Sequence, residues 1–186
     1  MTEAMLTAPT SRCPQELAAA IRSAVSTRGD WDVTARRVGE ALRRHPPRAE
    51  VLTRHERFGH PAGYRSHVLH VEPDGTFSVV AMVWLPGQVT PIHDHVSWCV
   101  TAVVQGTEYE EVFTLSSDGA SLRRFGSNIN PRGEVSFFAP PGDIHRVRNR
   151  GSDVAISVHV YGADISRLGS SIRNIYDLPV TGFSGT

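Results

Sequence analysis

Lysine is absent from this chain; all nineteen of its basic residues are arginine. Schiff-base and lysine-nucleophile chemistry are thereby excluded. Cysteine is scarce: Cys13 and Cys99 are too few for the disulfide framework of a small secreted module. No apolar run approaches a membrane span, and the first residues lack the basic-then-apolar order of a signal peptide. The expected compartment is therefore the cytoplasm. Net charge is also missing, since nineteen acidic residues balance the arginines, so nothing favours nucleic acid or an anionic membrane as a partner. What is present is 186 residues, 40% hydrophobic and 20% charged, the size and texture of a single globular domain.

The organisation changes once along the chain. Residues 1–12 read as disordered, and 13–47 as a helical appendage. Pro14 suits a first helical turn, after which Leu17, Ile21 and Val25 recur at helical spacing up to Thr27. Asp30 can cap a second helix with an apolar stripe of Trp31, Ala35, Val38 and Leu42, ended by His45-Pro46-Pro47. Residues 48–186 read as a barrel with a C-terminal tail. Strands are expected over 64–71 and 77–85, as a hairpin about Pro73-Asp74-Gly75, and over 100–104 and 109–115 around Gly106. Shorter ones follow at 122–125, 135–138, 146–149 and 154–161. Many short strands with turn residues between them imply a mainly β sandwich or barrel.

The stretch Gly87-Gln-Val-Thr-Pro-Ile-His93-Asp-His95 puts two imidazoles one residue apart, on the same face of a strand. Pro140-Pro-Gly142-Asp-Ile-His145 supplies a third about fifty residues later. Three histidines converging in a small barrel make a metal site with coordination positions left open.

In these residues the chain resembles the cupin superfamily, the double-stranded β-helix or jelly-roll barrels. Gly87, His93, His95 and Gly106 fall where the first cupin motif has them, and Gly133, Pro140, Gly142, His145 and Asn149 follow the second. Cys99 stands where the motif usually carries a glutamate ligand. That departure, with Ser157-Val-His159-Val-Tyr161, resembles the thiol dioxygenases, meaning cysteine dioxygenase and 3-mercaptopropionate dioxygenase.

The resemblance implies one Fe(II) per chain held by His93, His95 and His145. It implies O2-dependent oxidation of a small thiol: L-cysteine to its sulfinic acid, or 3-mercaptopropionate to its sulfinate. Tyr161, His159 and Ser157 alternate along one strand and so share a face, where they would orient a phenolic hydroxyl toward the reacting groups. Animal cysteine dioxygenases carry a cysteine near this place in thioether linkage to the active-site tyrosine, which implies a Cys99–Tyr161 pair. A thiol acid also needs a cation for its carboxylate. Arg65 is the first candidate if a bulge absorbs its offset from the family position. Arg167 and Arg173 are the others, flanking Ser170 where the mercaptopropionate branch carries its arginine. His67 and His70 are expected on opposite faces of their strand. Two alternatives remain open: a zinc or manganese cupin hydrolase or isomerase, and a non-catalytic ligand-binding cupin.

Overall fold

The computed structural model describes residues 11–27 and 29–182. Pro14 precedes helix α1 (Gln15–Ser26), and the Asp30 carboxylate caps α2 (Trp31–Arg44) by accepting from the Val33 N–H at 2.9 Å. The helix ends at His45, before two prolines that offer no N–H. Leu17, Ile21, Ala35, Val38 and Leu42 are buried at the expected spacing. Trp31 departs from the expected stripe: it is 46% exposed, because it stands a turn ahead of Thr34, the first buried residue of α2. The expected disorder over 1–10 lies outside the described residues. Arg12, by contrast, is held, its N–H donating to Leu69 O at 2.9 Å and its guanidinium to Glu56 at 2.7 Å.

After two 3₁₀ turns (Ala49–Val51, Glu56–Phe58) the chain is almost wholly strand. In order these are β1 (Arg65–Val71), β2 (Ser78–Trp84), β3 (His93–His95), β4 (Cys99–Gln105), β5 (Thr107–Leu115) and β6 (Leu122–Pro131). There follow β7 (Val135–Phe138), β8 (His145–Arg148), β9 (Ala155–Tyr161), the short helix α3 (Ile165–Leu168), β10 (Ile172–Ile175) and β11 (Val180–Thr181). One sheet runs β1-β2-β9-β4-β7 and the other β10-β3-β8-β5-β6-β11. Together they form the expected cupin barrel with two N-terminal helices.

Alternation along the central strands explains how the layers stack. Val79, Ala81 and Val83 of β2, with Val100, Ala102, Val158 and Val160, join Leu17, Ile21, Val38 and Leu42 in one core between the first sheet and the helices. The other face of the same strands carries Val80, Met82 and Trp84, Cys99 and Thr101, and Ser157, His159 and Tyr161, and this face lines the barrel interior. Because both faces are covered, β9 is buried from end to end.

Two expectations are corrected by register. A bulge between Val68 and His70 sets His67 opposite Ala81 and His70 opposite Val79, so both rings lie on the helix side rather than on opposite faces. There His67 sits 3.3 Å from Glu56, while His70 bridges Ser11 and Glu72 at 3.0 Å each. The second correction is length: β6 runs on to Pro131 through Asn128 and Asn130, residues poor in strand propensity. They are retained because β6 pairs along all of β5 and the Asn128 amide donates to the buried Glu110 at 3.0 Å.

Candidate metal centre

His93 and His95 lie two apart on β3, and His93 is the cross-strand partner of His145 at the start of β8. The alternation of β3 and this single register put three buried imidazoles on one inner face, with candidate ligand atoms all within 4.8 Å of one another. Gly142, at φ +103°, makes the turn that leads into His145.

The far side of each ring decides its tautomer. Nδ1 of His93 meets Pro91 O at 3.0 Å, Nδ1 of His95 meets Asp143 Oδ2 at 3.1 Å, and Nδ1 of His145 meets Glu110 Oε1 at 2.6 Å. A carbonyl and two carboxylates only accept, so each Nδ1 carries the proton and each Nε2 keeps its lone pair for a metal. Burial, then repulsion from His145 and His95, lowers His93 to about 3, and burial is the main cause of the lowered pKa of His95. Burial raises Glu110 and Asp143, but the hydrogen bonds of His145 and His95 outweigh it and keep both carboxylates ionised at neutral pH. The donor set therefore fits a divalent first-row metal held by Nε2 of His93, His95 and His145.

Beside these rings the three expected residues of β9 do come together. Tyr161 Oη is 3.3 Å from His159 Nδ1, and Ser157 Oγ is 2.8 Å from His159 Nε2. The Tyr161 ring stacks on His95 with centroids 6.1 Å apart. Burial and the neighbouring Cys99 raise the phenol well above its ordinary pKa, so it remains a proton donor. Cys99 is the direct cross-strand partner of Tyr161, and its Sγ lies 3.9 Å from both His159 Nδ1 and Thr101 Oγ1. The histidines, His159 and Tyr161 face a cavity of about 40 Å³ walled by Tyr64, Met82, Trp84 and Phe138.

The three candidate arginines are not brought to this cavity. Tyr64 lines it, so Arg65, the next residue along the strand, points to the opposite face, across from Val83. The bulge of β1 comes only after Val68, too late to turn Arg65 inward. Arg167 is exposed on α3. Arg173 is paired with the buried Asp94 at 2.7 Å, and with Asn174 and Tyr176 it fastens β10 to β3.

The family model for cysteine dioxygenase type I matches residues 51–169. The chain belongs to that family. The match spans both histidine motifs and the Ser157–Tyr161 strand, and membership implies dioxygenase activity in general terms. Solved structures with a similar fold include TT1209 from Thermus thermophilus, 22% identical with a TM-score of 0.42 over 56% of this chain and 87% of that one. Oxalate oxidase in complex with glycolate is 20% identical, with a TM-score of 0.45 over 56% of this chain and 53% of that one. The Cupin_2 domain of an XRE family transcriptional regulator from Enterobacter cloacae is 17% identical, with a TM-score of 0.40 over 53% and 94% of the two chains.

Sequence reasoning overlooked the residues that fix the histidines. Asp143 stands two residues before His145, inside a quoted motif, and its place next to a ligand was the available signal. Glu110 was signalled by Glu108-x-Glu110, two carboxylates on the same face of one strand. Thr101, 3.2 Å from His159 Nδ1, gave no signal beyond strand alternation.

Proposed function

We propose that the protein is a mononuclear iron(II) thiol dioxygenase that converts a small thiolate and one O2 into a sulfinate, with L-cysteine the leading substrate and 3-mercaptopropionate the next. The observation that carries this reading is the convergence of three imidazoles, each with Nδ1 engaged outward, beside Tyr161 and without a carboxylate among the grouped ligands. Ferrous iron, when bound, supplies the centre at which thiolate and O2 are brought together and electrons pass from sulfur to oxygen. Uncharged donors leave the cation's charge uncompensated, and this favours an anionic sulfur over a neutral ligand.

The chain's own residues do the rest. His159 holds the Tyr161 hydroxyl at the cavity, and Ser157 holds His159. Trp84, Met82 and Phe138 exclude water from the space in front of the metal ligands. With the three candidate arginines outside the cavity, the carboxylate of a thiol acid would be met by the hydroxyls of Tyr64 and Ser171 and by the metal's charge.

Oxygen-electrode assays of anaerobically iron-loaded protein with a panel of small thiols test the proposal, with the sulfinate identified by mass. Thiol-dependent oxygen uptake is expected. Its absence with every thiol would overturn this reading, and turnover retained without O2 on a zinc- or manganese-loaded protein would replace it with a hydrolase or isomerase.

A further inference from the structure

The cavity beside His93, His95 and His145 measures about 40 Å³, room for about three waters, and the three rings are themselves buried. A small thiol together with O2 needs more space, so a wall has to move to admit them. Most of the walls are fixed. Met82, Trp84, Val147, His159 and Tyr161 stand on β2, β8 and β9, each hydrogen-bonded to a strand on both sides. Tyr64 packs on Trp84 and Phe138 on His95, with ring centroids 4.5 and 4.8 Å apart. Thr90 is tied twice to Val147, through its own N–H and its hydroxyl. The remaining wall residues, Ser171 and Ile172, stand at the start of β10, an edge strand of its sheet.

Little holds that segment. Residues 166–170 before it are exposed, and so are Arg173, Asn174 and Ile175 within it. Its backbone is bound to the barrel where the Val96 N–H donates to Ser171 O at 3.0 Å, and by an irregular ladder with β3. Among the described residues one barrel side chain hydrogen-bonds to it, the buried carboxylate of Asp94. Oδ1 accepts from the Asn174 backbone N–H at 2.8 Å, and Oδ2 from the Arg173 guanidinium at 2.7 Å and the Tyr176 hydroxyl at 3.0 Å. The Asn174 side-chain amide donates to both oxygens at 3.1 Å. Beyond this point the chain is docked again, Tyr176 and Leu178 packing with Ile92 and Phe113.

We propose that Asp94 is a positioning residue that latches residues 170–175 over the metal cavity, and that molecules reach the metal ligands when this latch releases. Ser171 and Ile172 are then the entrance wall, and their placement sets which molecules pass. The residue is suited to the task by its place on β3. The tripeptide His93-Asp94-His95 alternates, so it turns two imidazoles inward and one carboxylate outward. The groups that close the cavity are thus anchored to the same three residues that supply two of its ligands. Because the side-chain bonds of the latch all end on one carboxylate, they are made and lost together. The exposed residues 166–170 let the segment swing while Tyr176 and Leu178 hold its far end.

That the entering molecule is a thiol rests on the proposed dioxygenase reading, but the latch itself does not. Hydrogen exchange of the zinc-loaded protein, read by mass spectrometry, reports the latch without any turnover. Arg173→Ala and Tyr176→Phe each remove one of its bonds and leave β3 untouched. Each should raise exchange over residues 171–176 about three- to tenfold. Zinc removal by a chelator should speed up by the same factor, while the equilibrium zinc affinity and exchange in β8 and β9 stay at wild-type values. Adding Arg173→Ala to Asp94→Asn should loosen the segment no further than Asp94→Asn alone, since both remove the same pair. In the iron-loaded enzyme, KM for bulkier thiols should fall relative to that for the smallest. Unchanged exchange over 171–176 in both single variants overturns the proposal, as does a loosened segment with an unchanged rate of zinc removal. A uniform rise in exchange across the barrel also overturns it, because Asp94 would then stabilise the fold at large. A loosened segment and faster zinc removal in a protein with no thiol-dependent oxygen uptake uphold the latch and remove only the proposed reaction.

Discussion

At His145 the 2.6 Å approach of Glu110 is that of a charge-assisted hydrogen bond, and it leaves Nε2 of that ring free for a metal. Removing such a partner typically lowers metal affinity about 10- to 100-fold. Glu110→Ala should therefore bind iron more weakly by that factor in chelator competition; an unchanged affinity would show that packing alone orients the ring. Tyr161→Phe removes the hydroxyl bonded to His159 while leaving the ligands intact. Its iron content should be normal and its kcat lower by on the order of 10²-fold. Cys99 and Tyr161 oppose each other on β4 and β9 and pack in one buried cluster with Val80. Aerobic turnover is expected to join them through sulfur, O2 accepting the thiol hydrogen and one ring hydrogen. Intact mass should then fall by two hydrogens and peptide mapping should find 99 and 161 in one species. The Cys99→Ser variant should show neither.

At the scale of elements, the end of β9 depends on a glycine. A Cβ on Gly162 would lie 2.2 Å from Nε1 of the buried Trp98, while the Gly162 N–H donates to Trp98 O at 3.1 Å. Gly162→Ala should destabilise the fold by about 1–3 kcal/mol in urea unfolding, because the indole must move within a packed core. It should also slow turnover, since Tyr161 is the adjacent residue. The helix–strand pattern was legible for α1, α2, β1, β2, β7 and β9 because their apolar periodicity is local. It failed for β10, β11 and the far half of β6, which carry Asn, Arg and Ser and are strands only because a neighbouring strand supplies their hydrogen bonds. The bulge in β1 was invisible for a related reason. The adjacent apolar residues Val68 and Leu69 break the alternation there, but the slip itself shows only in the pairing with β2.

For the molecule as a whole, pH acts through the groups buried without charge. In the metal-free protein His93 and His159 stay neutral down to about 3, whereas an unfolded histidine charges below its ordinary 6.5. The unfolded state thus takes up protons first, and stability falls as pH drops from 6.5 toward 3. Glu56, held down to about 2 against the cost of its burial chiefly by the Arg12 hydrogen bond, adds a loss as pH falls below 4.5. Glu108 acts in the opposite sense, because its raised folded value removes stability as pH rises from 4.5 to about 7. Thermal melts of metal-free protein should therefore show the melting temperature declining below pH 6.5 and more steeply below pH 4.5. A flat profile between pH 7 and pH 5 would contradict the burial of neutral histidines.

From the amino-acid sequence came a mainly β fold with two covering helices and, through motif spacing and the family resemblance it carries, the cupin barrel and the choice of His93, His95, His145, Ser157, His159 and Tyr161, because alternation and spacing are properties of neighbouring residues. Only the tertiary structure decided which nitrogen each histidine presents, since Glu110 and Asp143 reach their rings from other strands and loops. It also decided that Arg65 faces away from the cavity and that Arg173 is engaged by Asp94. Side-chain direction and pairing between distant segments follow from register and packing, which no local pattern encodes.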